Sequence, residues 1–305
     1  MVKKIIVKPV LSDVEISQKE GDFFNIDKLD IINYDCDVYS LLDGVEKLLL
    51  SFRKKVIPKK LCDDAFMALE STAKKKHNNR GAAAGKLDVK KLPAFVKKVV
   101  SRQKFRGHYI GKSGRVRKDH ISNYVSSGII GYYDKPDRNI FRKTKKKYPV
   151  MPCRMTKFTR EQPDKWNKSV NLIKKVDKLF KKLVPKSYAK QLARARETPD
   201  FIIENTAFST ATINYDYQTA LHKDKGDFDN GFGNLIVLEK SEVLGGHKYI
   251  GGYTAFPQYG VAVDIRHRDF LAMDVHQWHC NTALEGEGRL SVVCYLRSGM
   301  LNCKL

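Results

Sequence analysis

The sequence predicts an α+β fold: a double-stranded β-helix (jelly-roll) core, supporting helices, and a helical, basic N-terminal portion. Three observations carry this. From Phe208 onward the chain breaks into short β-rich stretches, among them "FSTATINYDY", "NLIVLEK", "GVAVDIR", "DFLAMDV" and "RLSVVCYLR", parted by Gly, Asp, Asn or Pro. Regular short strands of this kind suit a barrel or a double-sheet jelly roll. Before them, "DKWNKSVNLIKKVDKLFKKLV" sets Trp166, Val170, Ile173, Val176, Phe180 and Leu183 on one helical stripe with lysines opposite, as in a helix packed on a core. Nearer the N-terminus, "VYSLLDGVEKLLLSFRKKV" and "KKLCDDAFMALESTAKKK" space apolar residues at three and four, which predicts two more helices.

The organisation follows in chain order. Residues 1–70 are mixed in charge and form the expected helical portion, with an acidic, turn-prone stretch at "LSDVEISQKEGDFFNIDKLDII". Residues 71–148 form a basic region. Residues 149–305 form the core, and all three stretches are compatible with one compact domain. Within the core, "PVMPCRMTKFTR" alternates like a strand, and Pro185 ends the long helix before a second one running to about Arg196. No apolar run is long enough to span a membrane or to serve as a signal peptide. We expect a soluble, intracellular monomer. The six cysteines form no CxxC pair and no zinc-finger spacing, so buried free thiols are expected rather than disulfides.

Charge narrows the class of partner. The net charge is +23, and residues 71–150 hold 23 Lys or Arg against 4 Asp or Glu, a balance of +19. A balance this uneven points to a polyanion, with nucleic acid as the default. The bland alternative is a solubilising basic face. Phe105, Tyr109, Tyr124, Tyr132 and Tyr133 are interleaved with the basic residues, which suits base stacking beside phosphate neutralisation. "GHYIGKS" is not a phosphate loop, because only three residues separate Gly107 from Gly111 where four are needed.

One constellation carries chemistry. His222 and Asp224 in "ALHKDKGDF" are two apart, so on an extended chain both face one point. Two histidines and a carboxylate on one face of an octahedron leave three positions open, which suits Fe(II) that must bind a cosubstrate and oxygen. The pair alone is a weak signal. "MDVHQWHCNT" offers His276 or His279 as a third ligand, and their spacing of three lets at most one of them join. In "RLSVVCYLR", Arg289 and Ser291 share a face, and a guanidinium fork with a hydroxyl grips a carboxylate well.

Together, His-x-Asp, a distal His and Arg-x-Ser resemble the Fe(II)/2-oxoglutarate dioxygenase pattern. "IGGYTAF" resembles the Gly-Gly strand which that family carries between its ligands. "TINYDYQTALHKDKGDFDNGFGNLIVLE", "GGYTAFPQYGVAVDIRHRDFLAMDVHQWHCNT", "SGIIGYYD" and "PCRMTKFTR" narrow the resemblance to the TET/JBP branch, over roughly residues 120–305. The resemblance implies that His222, Asp224 and His279 are the catalytic iron ligands, with His279 chosen over His276. It implies that Arg289 and Ser291 hold the distal carboxylate of 2-oxoglutarate, and that O2 is the oxidant. It also implies a DNA substrate whose 5-methylpyrimidine is flipped out or met in a single strand. We expect 5-methylcytosine, hydroxylated to 5-hydroxymethylcytosine. The alternatives are thymine, an RNA- or protein-directed dioxygenase, and a DNA-binding protein with a structural metal.

The remaining polar residues stay open. Asn214 shares the parity of Thr212 and is either a cosubstrate or base contact or a structural hydrogen bond. Arg297, on the parity of Arg289 and Ser291, either holds the other end of 2-oxoglutarate or sits at the rim. Asp227 and Asn234 either read a base edge or cap turns. Arg154 is a candidate for the substrate cleft. His247 and His267 are expected at the surface.

Overall fold

A computed structural model describes residues 2–25, 27–86, 106–110, 116–120, 122–134 and 153–303. Much of the basic region, including Phe105, and the first part of "PVMPCRMTKFTR" lie outside the described residues.

The N-terminal portion is more β than expected. It holds β1 (Lys3–Val7), α1 (Asp13–Gln18), β2 (Asp30–Ile32), β3 (Cys36–Leu42), β4 (Val45–Arg53) and α2 (Lys59–Ala73). α2 matches the sequence reading. The helix expected over residues 38–56 is instead the β3–β4 hairpin. Its turn is Asp43-Gly44, with φ of 48° and 76°, and a two-residue turn of two positive-φ residues matches the right-handed twist of a strand pair. Burial alternates along β3, with the period of two proper to strands. In α1, the Ser12 hydroxyl accepts from the Glu15 amide while the Glu15 carboxylate accepts from the Ser12 amide, a capping box.

The rest comprises β5 (Lys76–His77), β6 (Arg106–Ile110), β7 (Val116–His120), β8 (Val125–Tyr133), β9 (Arg154–Met155), α3 (Lys157–Glu161), α4 (Pro163–Leu183), α5 (Pro185–Ala195), β10 (Thr210–Tyr215), β11 (Gly233–Glu239), α6 (Lys240–Leu244), β12 (Ile250–Gly251), β13 (Thr254–Phe256), β14 (Val261–Val263), β15 (Phe270–Met273), β16 (Cys280–Asn281), β17 (Leu284–Glu285) and β18 (Arg289–Tyr295). Of the strand expected within residues 149–160, the described residues from Cys153 onward hold β9. Thr156 then caps α3, its hydroxyl accepting from the Thr159 amide.

The large sheet has ten strands in the order β1-β3-β4-β15-β11-β18-β10-β8-β5, with β9 on β8. A four-stranded sheet, β16-β13-β14-β2, packs against it. Leu235, Val237 and Leu271 of the large sheet share one apolar cluster with Phe256, Val261 and Val263 of the small one. The fold is therefore α+β around two sheets.

The outer face of the large sheet is covered by helices. Val170, Ile173, Val176 and Phe180 of α4 pack with α2 on Ala211, Ile213, Ile236, Leu238, Leu290 and Val292. Phe180 stacks on Phe208 at 6.0 Å and meets Tyr188 edge-on at 5.4 Å. Burying such a ring is worth roughly 1.5–3 kcal/mol. Period two then decides the inner face. Thr212 and Asn214 on β10, Leu235 on β11, and Arg289, Ser291, Val293 and Tyr295 on β18 all line one cavity between the sheets.

Two expectations are corrected. Cys153 and Cys303 are paired across 150 residues with Cα atoms 5.4 Å apart, whereas Cys36, Cys62, Cys280 and Cys294 are free and buried. His267 is 7% exposed rather than at the surface, because its Nδ1 accepts from the Glu239 amide inside the fold. His247 is exposed.

Candidate active site

The cavity is about 380 Å³ in volume. One wall is built by two extended segments bridged between His222 and His279. Each amide donates to the other's carbonyl at 3.0 Å, which sets the two imidazoles side by side, 4.3 Å between centroids. Asp224 reaches the same point because its amide donates to the Val275 carbonyl at 3.0 Å. Its carboxylate oxygens stand 3.6 Å from His222 Nε2 and 3.8 Å from His279 Nε2. One ligand atom from each residue lies within 4.8 Å of the others.

The hydrogen bonds prepare these rings to ligate. His222 Nδ1 lies 2.7 Å from the Ala220 carbonyl, and His279 Nδ1 lies 2.9 Å from that of Gln277. A carbonyl only accepts, so both protons belong on Nδ1 and both Nε2 lone pairs face Asp224. Burial, aided by His279, pulls the His222 pKa down to about 4, so its ring is neutral at pH 7. This donor set fits a divalent metal that keeps open positions, Fe(II) in particular. His276 is elsewhere: its Nδ1 faces the Asp274 carboxylate at 3.1 Å.

Arg289 is the second pole of the cavity. It is 3% exposed, and its Nε and one terminal nitrogen have no hydrogen-bond partner among the described residues. A buried guanidinium left open is costly unless a ligand completes it, and the carboxylate of 2-oxoglutarate has the matching fork. Two features hold Arg289 there. The Asp216 carboxylate accepts from the Gly288 and Arg289 amides at 2.8 Å each, fixing the start of β18. Gly252, at φ +68°, gives the side chain room, since a Cβ at that position would stand 3.0 Å from Arg289 Cδ.

The other sequence candidates divide. Ser291, Asn214 and Ser127 are neighbours on β18, β10 and β8. Ser127 donates to the Asn214 carbonyl oxygen at 2.5 Å, and the Asn214 amide donates to Ser291 at 3.4 Å. Arg297 lines the cavity, but its Nε donates to Asp134 at 2.8 Å and its guanidinium lies over the Tyr133 ring. Asp227 lines the cavity at 9% exposure, and burial raises its carboxyl well above the usual carboxylate range. Asn234 does not line it. It falls on the helix-facing parity of β11 with Ile236 and Leu238, fully buried, its amide donating to the Phe232 carbonyl. Arg154 lies over the Tyr133 ring at 5.6 Å, outside the cavity lining.

Sequence reasoning missed Arg80 and Tyr217. Arg80 enters the cavity from the segment after α2. One terminal nitrogen donates to the Gly128 carbonyl at 2.9 Å and the other reaches Thr212 at 3.5 Å. Its Nε and the Tyr217 hydroxyl are buried and unpartnered among the described residues. No spacing marks Arg80 out within a Lys/Arg-rich stretch, and Tyr217 reads as one of many aromatics.

Known proteins resemble this chain in sequence and in fold. The model of the Tet_JBP family, the oxygenase domain of the 2OGFeDO superfamily, matches residues 140–298. The chain belongs to the Tet_JBP family. It is 32% identical over 239 residues to thymine dioxygenase JBP1 of Trypanosoma brucei brucei, covering 73% of this chain and 25% of that one. It is 36% identical over 184 residues to the bifunctional helicase and thymine dioxygenase JBP2 of the same organism, covering 58% and 15%. The chain thus spans about a quarter or less of the length of these curated relatives. A solved structure of NgTET1 in complex with 5mC DNA matches with a TM-score of 0.51 at 12% identity, over 95% of this chain and 92% of that one, and so shares the fold. Iron(II), 2-oxoglutarate and O2 are the cofactors of the 2OGFeDO superfamily, and the His222–Asp224–His279 set fits the iron. Among the described residues no helix is long and apolar enough to cross a membrane.

Proposed function

We propose that this Tet_JBP protein is an Fe(II)- and 2-oxoglutarate-dependent dioxygenase that hydroxylates the 5-methyl group of a pyrimidine in DNA, within a jelly-roll core. One observation carries the reading: a His-Asp-His set and a buried, open guanidinium face one cavity. Thymine is the first substrate to test, because relatives at 32–36% identity are named thymine dioxygenases. 5-Methylcytosine, expected from the sequence, is the second arm.

In this reading His222, Asp224 and His279 hold Fe(II), and Arg289 with Ser291 holds the distal carboxylate of 2-oxoglutarate. When bound, the iron supplies O2 activation, coupling oxidative decarboxylation of 2-oxoglutarate to transfer of one oxygen atom to the methyl carbon. Asn214 fixes the Ser291 hydroxyl. Arg80 and Tyr217 supply unpaired donors between the two poles. Asp227, whose carboxyl burial pushes well above the usual carboxylate range, lines the cavity and suits the Watson–Crick edge of a flipped base. Residues 71–148 neutralise phosphates and offset the few kcal/mol that flipping costs.

The test is direct. The protein is incubated with Fe(II), 2-oxoglutarate and duplexes carrying thymine alone or added 5-methylcytosine. The DNA is then digested and the nucleosides weighed. A hydroxymethyl nucleoside matched by succinate supports the reading, and succinate with neither nucleoside changed refutes it.

A further inference from the structure

We propose that the end of α4 and the outer face of α5 form a phosphodiester-binding surface that continues from the cavity mouth and carries the DNA strand beside the reacting base. This rests on the reading that the substrate base lies in DNA. From Lys178 to Arg196 the chain has seven Lys or Arg and no Asp or Glu. α5 turns Tyr188, Gln191 and Ala195 inward. Lys186 and Lys190, one helical turn apart, are left exposed on its outer face. Lys182 is exposed on the last turn of α4. Neither Lys182 nor Lys186 has an acidic partner among the described residues.

Position separates this face from an ordinary solvated one. Residues 226–232 run from the cavity to α5. Gly226 and Asp227 line the cavity, and three residues on, the Asn230 side chain accepts from Lys190 Nζ at 3.4 Å. Gln191 clamps the loop: its amide donates to the Ala207 carbonyl at 2.8 Å and its carbonyl oxygen accepts from the Phe232 amide at 3.1 Å. Gly231 passes so near that a Cβ there would stand 2.5 Å from the Gln191 carbonyl oxygen. Phe228 packs against Ala195, Ile202 and Leu296. The loop bearing Asp227 and the helix bearing the lysines therefore hold a fixed relation.

A nucleotide turned into the cavity leaves the phosphates of its neighbours at the mouth. A strand leaving across residues 226–232 meets Lys190, then Lys186, then Lys182. Lysines nearer the triad are partly committed. Lys223 lies over the Trp278 ring at 5.0 Å, and Lys225 faces the Glu20 carboxylate at 3.7 Å. Lys182 and Lys186, by contrast, are exposed and, among the described residues, uncommitted, and the lysines of α5 and the end of α4 are not part of the basic region at 71–148.

The test compares the full chain with a K182E/K186E/K190E variant, using fluorescence anisotropy on a labelled thymine-containing duplex over a series of salt concentrations. The variant is expected to bind about tenfold or more weakly, with a log–log salt slope shallower by roughly two to three, about one per lost phosphate contact. Its DNA-independent release of succinate from 2-oxoglutarate is expected to stay at the parent level. A K182R/K186R/K190R variant is expected to bind like the parent. A control, K3E/K8E/K47E, makes the same charge change around β1 and β4 and is expected to shift binding little. Unchanged affinity and slope in the first variant overturns the proposal, as does an equal loss in the control, which would reduce the effect to net charge. Loss of binding only to an acidic protein, with DNA binding intact, also overturns it. If the parent modifies no DNA yet the first variant still loses affinity for the duplex, the surface stands and the substrate reading falls. If the parent modifies DNA and the first variant binds as before, the reverse holds.

Discussion

Replacing Gly252 by alanine tests the proposal that Arg289 grips the cosubstrate. A Cβ at Gly252 would stand 2.9 Å from a Leu284 methyl, 3.0 Å from Arg289 Cδ and 3.1 Å from Arg289 Nε. The Leu284 methyl can rotate away. The Arg289 stem can yield only by moving its fork, by roughly half an ångström if ordinary contact is restored. A misplacement of about 1 Å in a catalytic constellation costs on the order of 100-fold, so about tenfold is expected here in the 2-oxoglutarate concentration needed for half-maximal succinate release. Turnover at saturation should change much less. The backbone adds its own cost, because φ is +68° and a side chain in that region costs about 1–2 kcal/mol. That corresponds to a melting temperature lower by roughly 1.5–3 °C for a chain of 305 residues. Gly245 separates the two effects: its φ is +77°, and a Cβ there would have nothing within 4 Å. Gly245→Ala should lose similar stability and leave the 2-oxoglutarate requirement alone. If Gly252→Ala also leaves it alone while melting lower, Arg289 does not hold the cosubstrate against Gly252.

Other outcomes are equally specific. Asp224→Ala should abolish iron-dependent succinate release while the fold persists by circular dichroism; retained activity would remove Asp224 from the metal set. Arg80→Ala should raise the requirement for 2-oxoglutarate or for DNA by roughly 10- to 150-fold, a charge-assisted contact being worth about 1.5–3 kcal/mol; kinetics unchanged in both would make Arg80 a purely structural link between β8 and β10. Burial holds the folded His222 pKa at about 4 against an ordinary 6.5, so the unfolded chain binds its proton first as pH falls. That penalty is absent above pH 6.5 and grows between 6.5 and 4, reaching about 2 kcal/mol at pH 5. Urea unfolding of iron-free parent and His222→Gln protein at pH 7.5 and 5 should show the variant gaining relative stability at the lower pH, and no relative gain would contradict the burial of a neutral ring. Asn234→Ala should cost about 1 kcal/mol of stability through its lost hydrogen bond and leave substrate kinetics unchanged; a kinetic defect would return Asn234 to the cavity.

The features legible in the sequence are those whose geometry is local. His222 and Asp224 are two apart on extended backbone, and Arg289 and Ser291 are two apart on a regular strand, so their shared direction follows from the pleat. The α4 stripe was legible because one face of the helix is polar throughout. Asn234 was not, because every residue of β11 is buried, and a strand buried on both faces gives no alternation to tell inside from outside. The β3–β4 hairpin was misread because Leu41, Leu42, Val45, Leu48, Leu49 and Phe52 also satisfy a spacing of three and four, and Asp43-Gly44 was the signal that should have decided it. Arg80 and the Cys153–Cys303 pairing depend on contacts between distant segments, which no local pattern encodes.

The β3–β4 hairpin also bears on how the chain is made. β4 pairs with β15, Arg53 opposite Phe270, and just beyond it the Lys55 amide donates to the Asp269 carboxylate 214 residues away. Synthesis at about 5–20 residues per second separates those partners by on the order of ten to forty seconds. During that interval the free side of β4 is an open strand edge, the kind of surface that recruits other chains. The central strand order of the large sheet is therefore closed late in translation, and the nascent chain must be kept from pairing elsewhere until β15 emerges.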